Sequence, residues 1–169
     1  MDKLWAPWRV KYITKIIGKT KTCTFCQILR DSKDKKNYIF VRTKYSFAVL
    51  NIYPYNNGHT LIVPKRHVKD LAKMTKAERE DLMVLLIYSQ KLLDKVLKPA
   101  GYNVGVNLGR MSGAGIPGHL HFHVVPRWRG DVNFMAVTGD TKVISQSLKA
   151  LFDKLSDAHH KYIKIRDYS

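Results

Sequence analysis

No stretch of about 18 consecutive apolar residues occurs in this chain of 169, so no membrane-spanning helix is expected. The opening Met-Asp-Lys-Leu-Trp-Ala-Pro-Trp-Arg lacks the long apolar segment of a secretory signal, and a cytoplasmic location is the resulting expectation. Cysteine is scarce: Cys23 and Cys26 are the only two. A disulfide between them is not expected in a reducing cytoplasm. Internal repeats, low-complexity tracts and convincing domain boundaries are also missing, which makes residues 1–169 most simply one domain. Acidic side chains are few, 13 against 30 lysines and arginines, and the net charge is +17. That excess fits a lysine-rich solvated surface or attraction to polyanions such as phosphorylated nucleotides or nucleic acid. The lysines are spread along the chain, which argues against a dedicated nucleic-acid stripe.

The apolar fraction of 45% and the 11% of aromatics point to a globular chain with a real core. One stretch dominates the reading, Gly113-Ala-Gly-Ile-Pro-Gly-His-Leu-His-Phe-His-Val-Val-Pro-Arg-Trp128. His119, His121 and His123 alternate with Leu120, Phe122 and Val124, with Val125 beyond. Period-two alternation predicts a strand with the imidazoles on one face, about 7 Å apart, and the apolar residues on a core. A glycine-rich loop leads into it, and backbone N–H groups of such a loop can approach a phosphate closely.

Other strands are predicted at about 38–43, 46–51, 59–64 and 102–108, with a polar loop over 31–37. A short helical turn is expected around Asp70–Met74. Thr75 and Glu78 form a capping-box pattern ahead of Leu82, Leu85, Leu86, Leu92, Leu93, Val96 and Leu97 at helical spacing. That predicts a long core-forming helix of about five turns, ended by Pro99 and Gly101. A second, shorter helix is expected at 141–155, then a polar, basic tail to 169. The sum is an α+β fold in which the histidine strand pairs with the 102–108 strand. The opening Trp5, Pro7, Trp8 and Arg9 read as an aromatic-basic arm packed over an edge, or as a base-stacking platform.

Three uses of the histidines compete. A single metal on all three is hindered, because the outer two are about 13 Å apart along a strand. The first carboxylate downstream is Asp131. Incidental surface histidines would not explain three alternating copies behind a glycine loop. A neutral imidazole that attacks phosphorus explains both the loop and the triad. Cys23-Thr-Phe-Cys26 is a second signal: two thiolates at this spacing can reach one metal, but they also fit a redox pair or ordinary core cysteines.

His119-Leu-His-Phe-His123-Val-Val resembles the signature of the histidine triad (HIT) family. Asn51, Gly58-His59-Thr60-Leu61 and Pro64-Lys65-Arg66-His67 resemble its upstream blocks. The resemblance spans about 20–128, leaving an arm at 1–19 and a C-terminal helix and tail at 141–169. Residues Gly113–Trp128, Gly130–Met135 and Leu4–Arg9 are similar to the bacterial branch related to diadenosine tetraphosphate phosphorylases and Fhit-type hydrolases.

The resemblance implies a five-stranded antiparallel sheet with one long and one or two shorter helices, dimerised into an extended sheet. It implies cleavage of dinucleoside polyphosphates at the α-phosphate through a nucleotidyl-histidine, with water or phosphate as acceptor and no organic cofactor. His121 would be the nucleophile, His123 would contact the phosphate, and His119 would support the arrangement. Asn51 would hold ribose, with His59 near the site. Asn107, Ser112, Gly113 and Gly115 are candidate phosphate-side contacts. Some relatives carry a structural zinc on two cysteines and two histidines, which implies Cys23, Cys26, His67 and His119 here. The alternatives are a nucleotide- or RNA-binding protein with little turnover, and a Hint-like phosphoramidase. The Hint-type pattern has Gln-Ser where Ile116 and Pro117 stand.

Overall fold

The computed structural model describes residues 22–131 and 144–161. The expected arm at Trp5–Arg9, residues 132–143 and the tail from 162 lie outside the described residues.

Helix α1 spans Thr24–Asp31 and the one-turn helix α2 spans Asp34–Asn37, where a polar loop is expected from the sequence. Five strands follow along the chain: β1 Ile39–Arg42, β2 Ser46–Leu50, β3 Thr60–Pro64, β4 Gly101–Val106 and β5 Phe122–Arg127. Helix α3, Lys76–Leu97, separates β3 from β4, and helix α4, Leu148–Lys161, closes the described chain. All four strand pairings are antiparallel, in the order β1-β2-β3-β5-β4. The histidine strand therefore runs between β3 and β4. The fold is α+β, as the residue pattern predicts.

The long helix forms for the reasons visible in its residues. Thr75 accepts from the Glu78 N–H, and the Glu78 carboxylate accepts from the Thr75 N–H, so both ends of the capping box close. Leu82, Leu85, Leu86, Ser89, Leu92 and Leu93 recur on one buried face. At 22 residues the helix is a turn longer than the leucine spacing alone suggests. Lys98 ends it in the left-handed conformation. A turn of 3-10 helix at Leu71–Lys73 precedes it, capped by the Asp70 carboxylate. The last helix begins at Leu148 and not near 141. Leu151, Phe152, Leu155 and Ala158 line its buried face.

The sheet carries two apolar layers of unequal size. The larger packs α3 and α4 against Phe40, Ala48, Leu50, Ile62, Leu120 and Val124. The smaller packs Phe25 of α1 against Ile39, Phe47, Val49, Leu61 and Val63 on the opposite face. Alternation along β2 explains both layers: Ala48 and Leu50 face α3, while Phe47 and Val49 face α1.

Candidate active site

His119, His121 and His123 lie on the α1 face, while Leu120, Phe122 and Val124 face the helical layer. The alternation expected of the stretch holds, but the regular strand begins only at Phe122. His119–His121 lie outside the ladder, with the Leu120 N–H donated to the Val68 carbonyl at 2.7 Å. This departure has a use. Freed from β3 pairing, the His119 region can meet Cys23, Cys26 and His67.

His121 and His123 are neighbours, with ring centroids 5.0 Å apart. Phe25 covers His119 at 5.4 Å and His121 at 5.1 Å, so this face is a small aromatic core and not an open surface. The register sets Leu61 on one side of His123 and Gly105 on the other. A Cβ at Gly105 would meet nothing within 4 Å, so the strip beside His123 is open on the β4 side.

Hydrogen bonds fix the tautomers. The His121 Nδ1–H donates to the His119 carbonyl at 2.8 Å, which leaves the lone pair on Nε2. Burial pulls the His121 pKa below the ordinary histidine value, against the His119 carbonyl bond that raises it, so the ring is neutral at pH 7. A neutral ring with its proton on Nδ1 is a nucleophile at Nε2.

His59 is buried and neutral, its pKa lowered to about 3 by desolvation first and by His123 and His121 next. Its Nδ1 accepts from the Tyr55 N–H at 3.0 Å and from the Asn51 carboxamide N–H at 3.2 Å. The proton is therefore on Nε2, which donates to His123 Nδ1 at 2.9 Å. In the neutral ring, His123 then carries its own proton on Nε2. Neighbouring histidines thus carry opposite functions at Nε2, a lone pair on His121 and an N–H on His123.

Asn51 lies at the end of β2 beside this pair, and its side-chain oxygen accepts from the Tyr53 N–H at 3.0 Å. Both bonds orient the carboxamide and leave one N–H and one lone pair for other partners. The antiparallel register places the Asn51–His59 loop at the Val124 end of the row. The loop from 107 to 118 lies at the other end, beside His119. In that loop Asn107 and Gly115 are half-buried, while Ser112 and Gly113 are exposed. Ser112 Oγ donates to the Gly109 carbonyl at 2.8 Å, and Gly113 takes φ +79°.

The cysteines meet His119 and His67. His119 Nε2–H donates to the Pro64 carbonyl at 2.8 Å, so its Nδ1 lone pair faces Cys23 Sγ at 3.2 Å and Cys26 Sγ at 3.6 Å. His67 Nδ1 lies 3.3 Å from Cys26 Sγ. The four donor atoms of Cys23, Cys26, His67 and His119 all lie within 4.8 Å of one another. Two sulfurs and two nitrogens in one such cluster suit a tetrahedral metal. Burial lowers the His119 pKa to about 4, against the raising effect of the Pro64 carbonyl, which keeps the ring available as a ligand.

Two contributors escape sequence reading. Phe25 looks like the filler of a Cys-x-x-Cys pair, yet it covers two of the triad. Asn56 looks like part of an Asn-Asn-Gly turn, yet it is buried and donates to the Pro126 carbonyl at 3.0 Å and to Asp131 at 2.7 Å. Asp131 also pairs with Arg127 at 2.6 Å, so this cluster holds the Asn51–His59 loop against β5. A polar residue in an Asn-Asn-Gly turn offers no signal of such a long-range bond.

The antiparallel sheet and the alternating histidines define a histidine-triad protein. The HIT domain family model matches residues 32–130, and the chain belongs to that family. The AP-4-A phosphorylase of Mycobacterium tuberculosis is 38% identical over 156 residues, covering 88% of this chain and 80% of that protein. The asymmetrical bis(5'-nucleosyl)-tetraphosphatase of Schizosaccharomyces pombe is 36% identical over 93 residues, 55% of this chain and 50% of that one. A Zn-bound histidine triad family protein of Mycobacterium smegmatis shares the fold, with a TM-score of 0.63 at 22% identity over 83% of this chain and 94% of that one.

Proposed function

We propose that this chain cleaves dinucleoside polyphosphates at an α-phosphate, with His121 as nucleophile and inorganic phosphate as the preferred acceptor. The observation that carries the reading is the His121 Nδ1–H bond to the His119 carbonyl, which aims a neutral lone pair out of the row. Nε2 forms a bond to the α-phosphorus as the P–O bond to the leaving nucleotide breaks. The His119 carbonyl stabilises the positive charge that develops on the imidazole. His123 Nε2–H donates to a phosphate oxygen and helps carry the departing charge. A phosphate or water oxygen then attacks phosphorus, and His121 is released. Asn51 holds the ribose, and Asn107, Ser112 and the N–H groups of Gly113 and Gly115 meet the phosphate side. The phosphorylase name of the mycobacterial relative supports phosphate as acceptor, and that of the fission-yeast relative supports the substrate class.

Cys23, Cys26, His67 and His119 fit a zinc ion, which when bound supplies a structural brace with no open position for chemistry. The residues fit because His119 commits Nε2–H to Pro64 and turns its other nitrogen toward both sulfurs. Cys23 and Cys26 form no disulfide and would hold zinc as thiolates, which suits a reducing compartment such as the cytoplasm. The outer edge of β4, with Val104 45% exposed, offers the strand to a second copy of the chain.

The test is product analysis with diadenosine tetraphosphate, with and without inorganic phosphate. ADP plus ATP formed only with phosphate supports phosphorolysis. AMP plus ATP formed without phosphate shows that water completes the reaction. Two ADP formed without phosphate, or no cleavage, overturns attack at the α-phosphate.

A further inference from the structure

Tyr55 takes part in none of the steps above, yet it touches the His59–His123 pair twice. Its backbone N–H donates to His59 Nδ1 at 3.0 Å, which forces the His59 proton onto Nε2. Its ring lies over both imidazoles, 4.5 Å from His59 at a 37° tilt and 5.7 Å from His123 at 14°. The same side chain is about half exposed, so it stands between that histidine pair and solvent. Among the described residues no hydrogen bond involves its hydroxyl, so the ring makes the contact.

The loop that presents Tyr55 is anchored on both sides. Asn51 accepts the Tyr53 N–H before it, and Asn56 is bonded to Pro126 and Asp131 after it. Pro54 restricts the backbone in between. A ring held this firmly restricts rotation of the histidine beneath it. An imidazole-to-imidazole bond open to water would exchange partners, and His123 would then sample both tautomers.

We propose that Tyr55 is a positioning residue: its ring clamps the His59–His123 pair, excluding water from their hydrogen bond so that His123 keeps its N–H on Nε2. This rests on the proposed reaction for its effect on rate, but the clamp itself is a property of the resting protein. Tyr55 acts through His123 and need not touch substrate. The relevant ring property is a flat aromatic face, which Tyr and Phe share and Leu and Ala lack.

The experiment uses the full chain and its Tyr55→Phe, Tyr55→Leu and Tyr55→Ala variants, each checked for folding by circular dichroism. Long-range nitrogen–proton correlation spectra of the imidazoles report which nitrogen carries the proton. In the parent and Tyr55→Phe, His59 and His123 should each show one Nε2–H tautomer. In Tyr55→Leu and Tyr55→Ala the His123 signals should average between tautomers. With diadenosine tetraphosphate, kcat should fall about 10-fold or more in those two, with KM changed less than about 3-fold. Unchanged tautomers in Tyr55→Ala, or mixed tautomers with normal kcat, overturn the proposal. A rise in KM at constant kcat also overturns it, since Tyr55 would then bind substrate. If the parent does not cleave the dinucleotide, the proposed reaction fails, and the spectra alone decide on the clamp.

Discussion

His119 shows how much one residue can join. Its Nε2–H holds Pro64, its Nδ1 faces the two cysteines, and its carbonyl holds the His121 proton. His121→Ala removes the lone pair and leaves this frame in place. Covalent labelling by nucleotide should vanish and turnover should fall by about 1000-fold or more, as when a nucleophile is lost. Mass spectrometry of the labelled protein checks it, and persistent label at any other histidine would reassign the nucleophile. Glu78 carries a different residue-scale prediction. Its hydrogen bonds to Arg66 lower its pKa from 4.5 to about 2, against the raising effect of burial. A carboxyl with a depressed folded-state pKa stabilises fully above its unfolded value and loses that contribution as pH falls through the folded one. The stability advantage over Glu78→Gln should therefore be constant above about pH 5 and shrink between pH 4.5 and about 2. Urea denaturation of both proteins across that range gives the comparison.

At the scale of elements, the helix α3 and the Asn51–His59 loop behave differently because they are held differently. The helix has a local cap and a local stripe, so it is readable from its residues. Thr75→Ala should cost about 1 kcal/mol by loss of the cap. Leu92→Ala, at a fully buried position, should cost about 2–5 kcal/mol. The loop is held from far along the chain by Pro126 and Asp131, and Gly58 within it takes φ +75°. A Cβ there would stand 2.5 Å from Leu97 Cδ1 and 3.1 Å from Pro126 Cγ. Gly58→Ala should destabilise by about 1–3 kcal/mol through backbone strain and crowding, and it should disturb Asn51 as well. Chemical denaturation measures the first effect and nucleotide affinity the second. The Gly-His pair was visible in the sequence, but the reason for its glycine lies in packing against α3 and β5.

For the molecule as a whole, the cysteine pair brings α1 against His67 and the histidine row. Chelation, or Cys23→Ser, should release about one zinc per chain and lower the thermal midpoint, with the loss seen by elemental analysis and calorimetry. Metal content and midpoint that do not change would remove the brace from the account. Pairing across β4 is a second whole-molecule expectation. Val104→Lys places a charge on the exposed edge, and sedimentation should then show a monomer where the parent is a dimer. A parent that sediments as a monomer at all concentrations overturns the pairing.

Much of this was legible in the residues because the interactions are periodic or local. Alternation sorted histidines from leucine, phenylalanine and valine, because side chains along a strand point to opposite faces. The capping box and leucine spacing placed α3, and the family resemblance around His67 and His119 pointed to their meeting Cys23 and Cys26 in a cluster that can hold a metal. Boundaries were less legible. His119–His121 leave the ladder, residues 34–37 turn helical, and the last helix starts at 148, because partners elsewhere in the chain decide where hydrogen bonding begins. The tautomers of the histidines came only from the folded arrangement. The Nδ1–H of His121 finds the His119 carbonyl, while the Nδ1 of His123 finds an N–H from His59. Residue order places imidazoles on one face, but only contacts made in three dimensions choose which nitrogen keeps the proton.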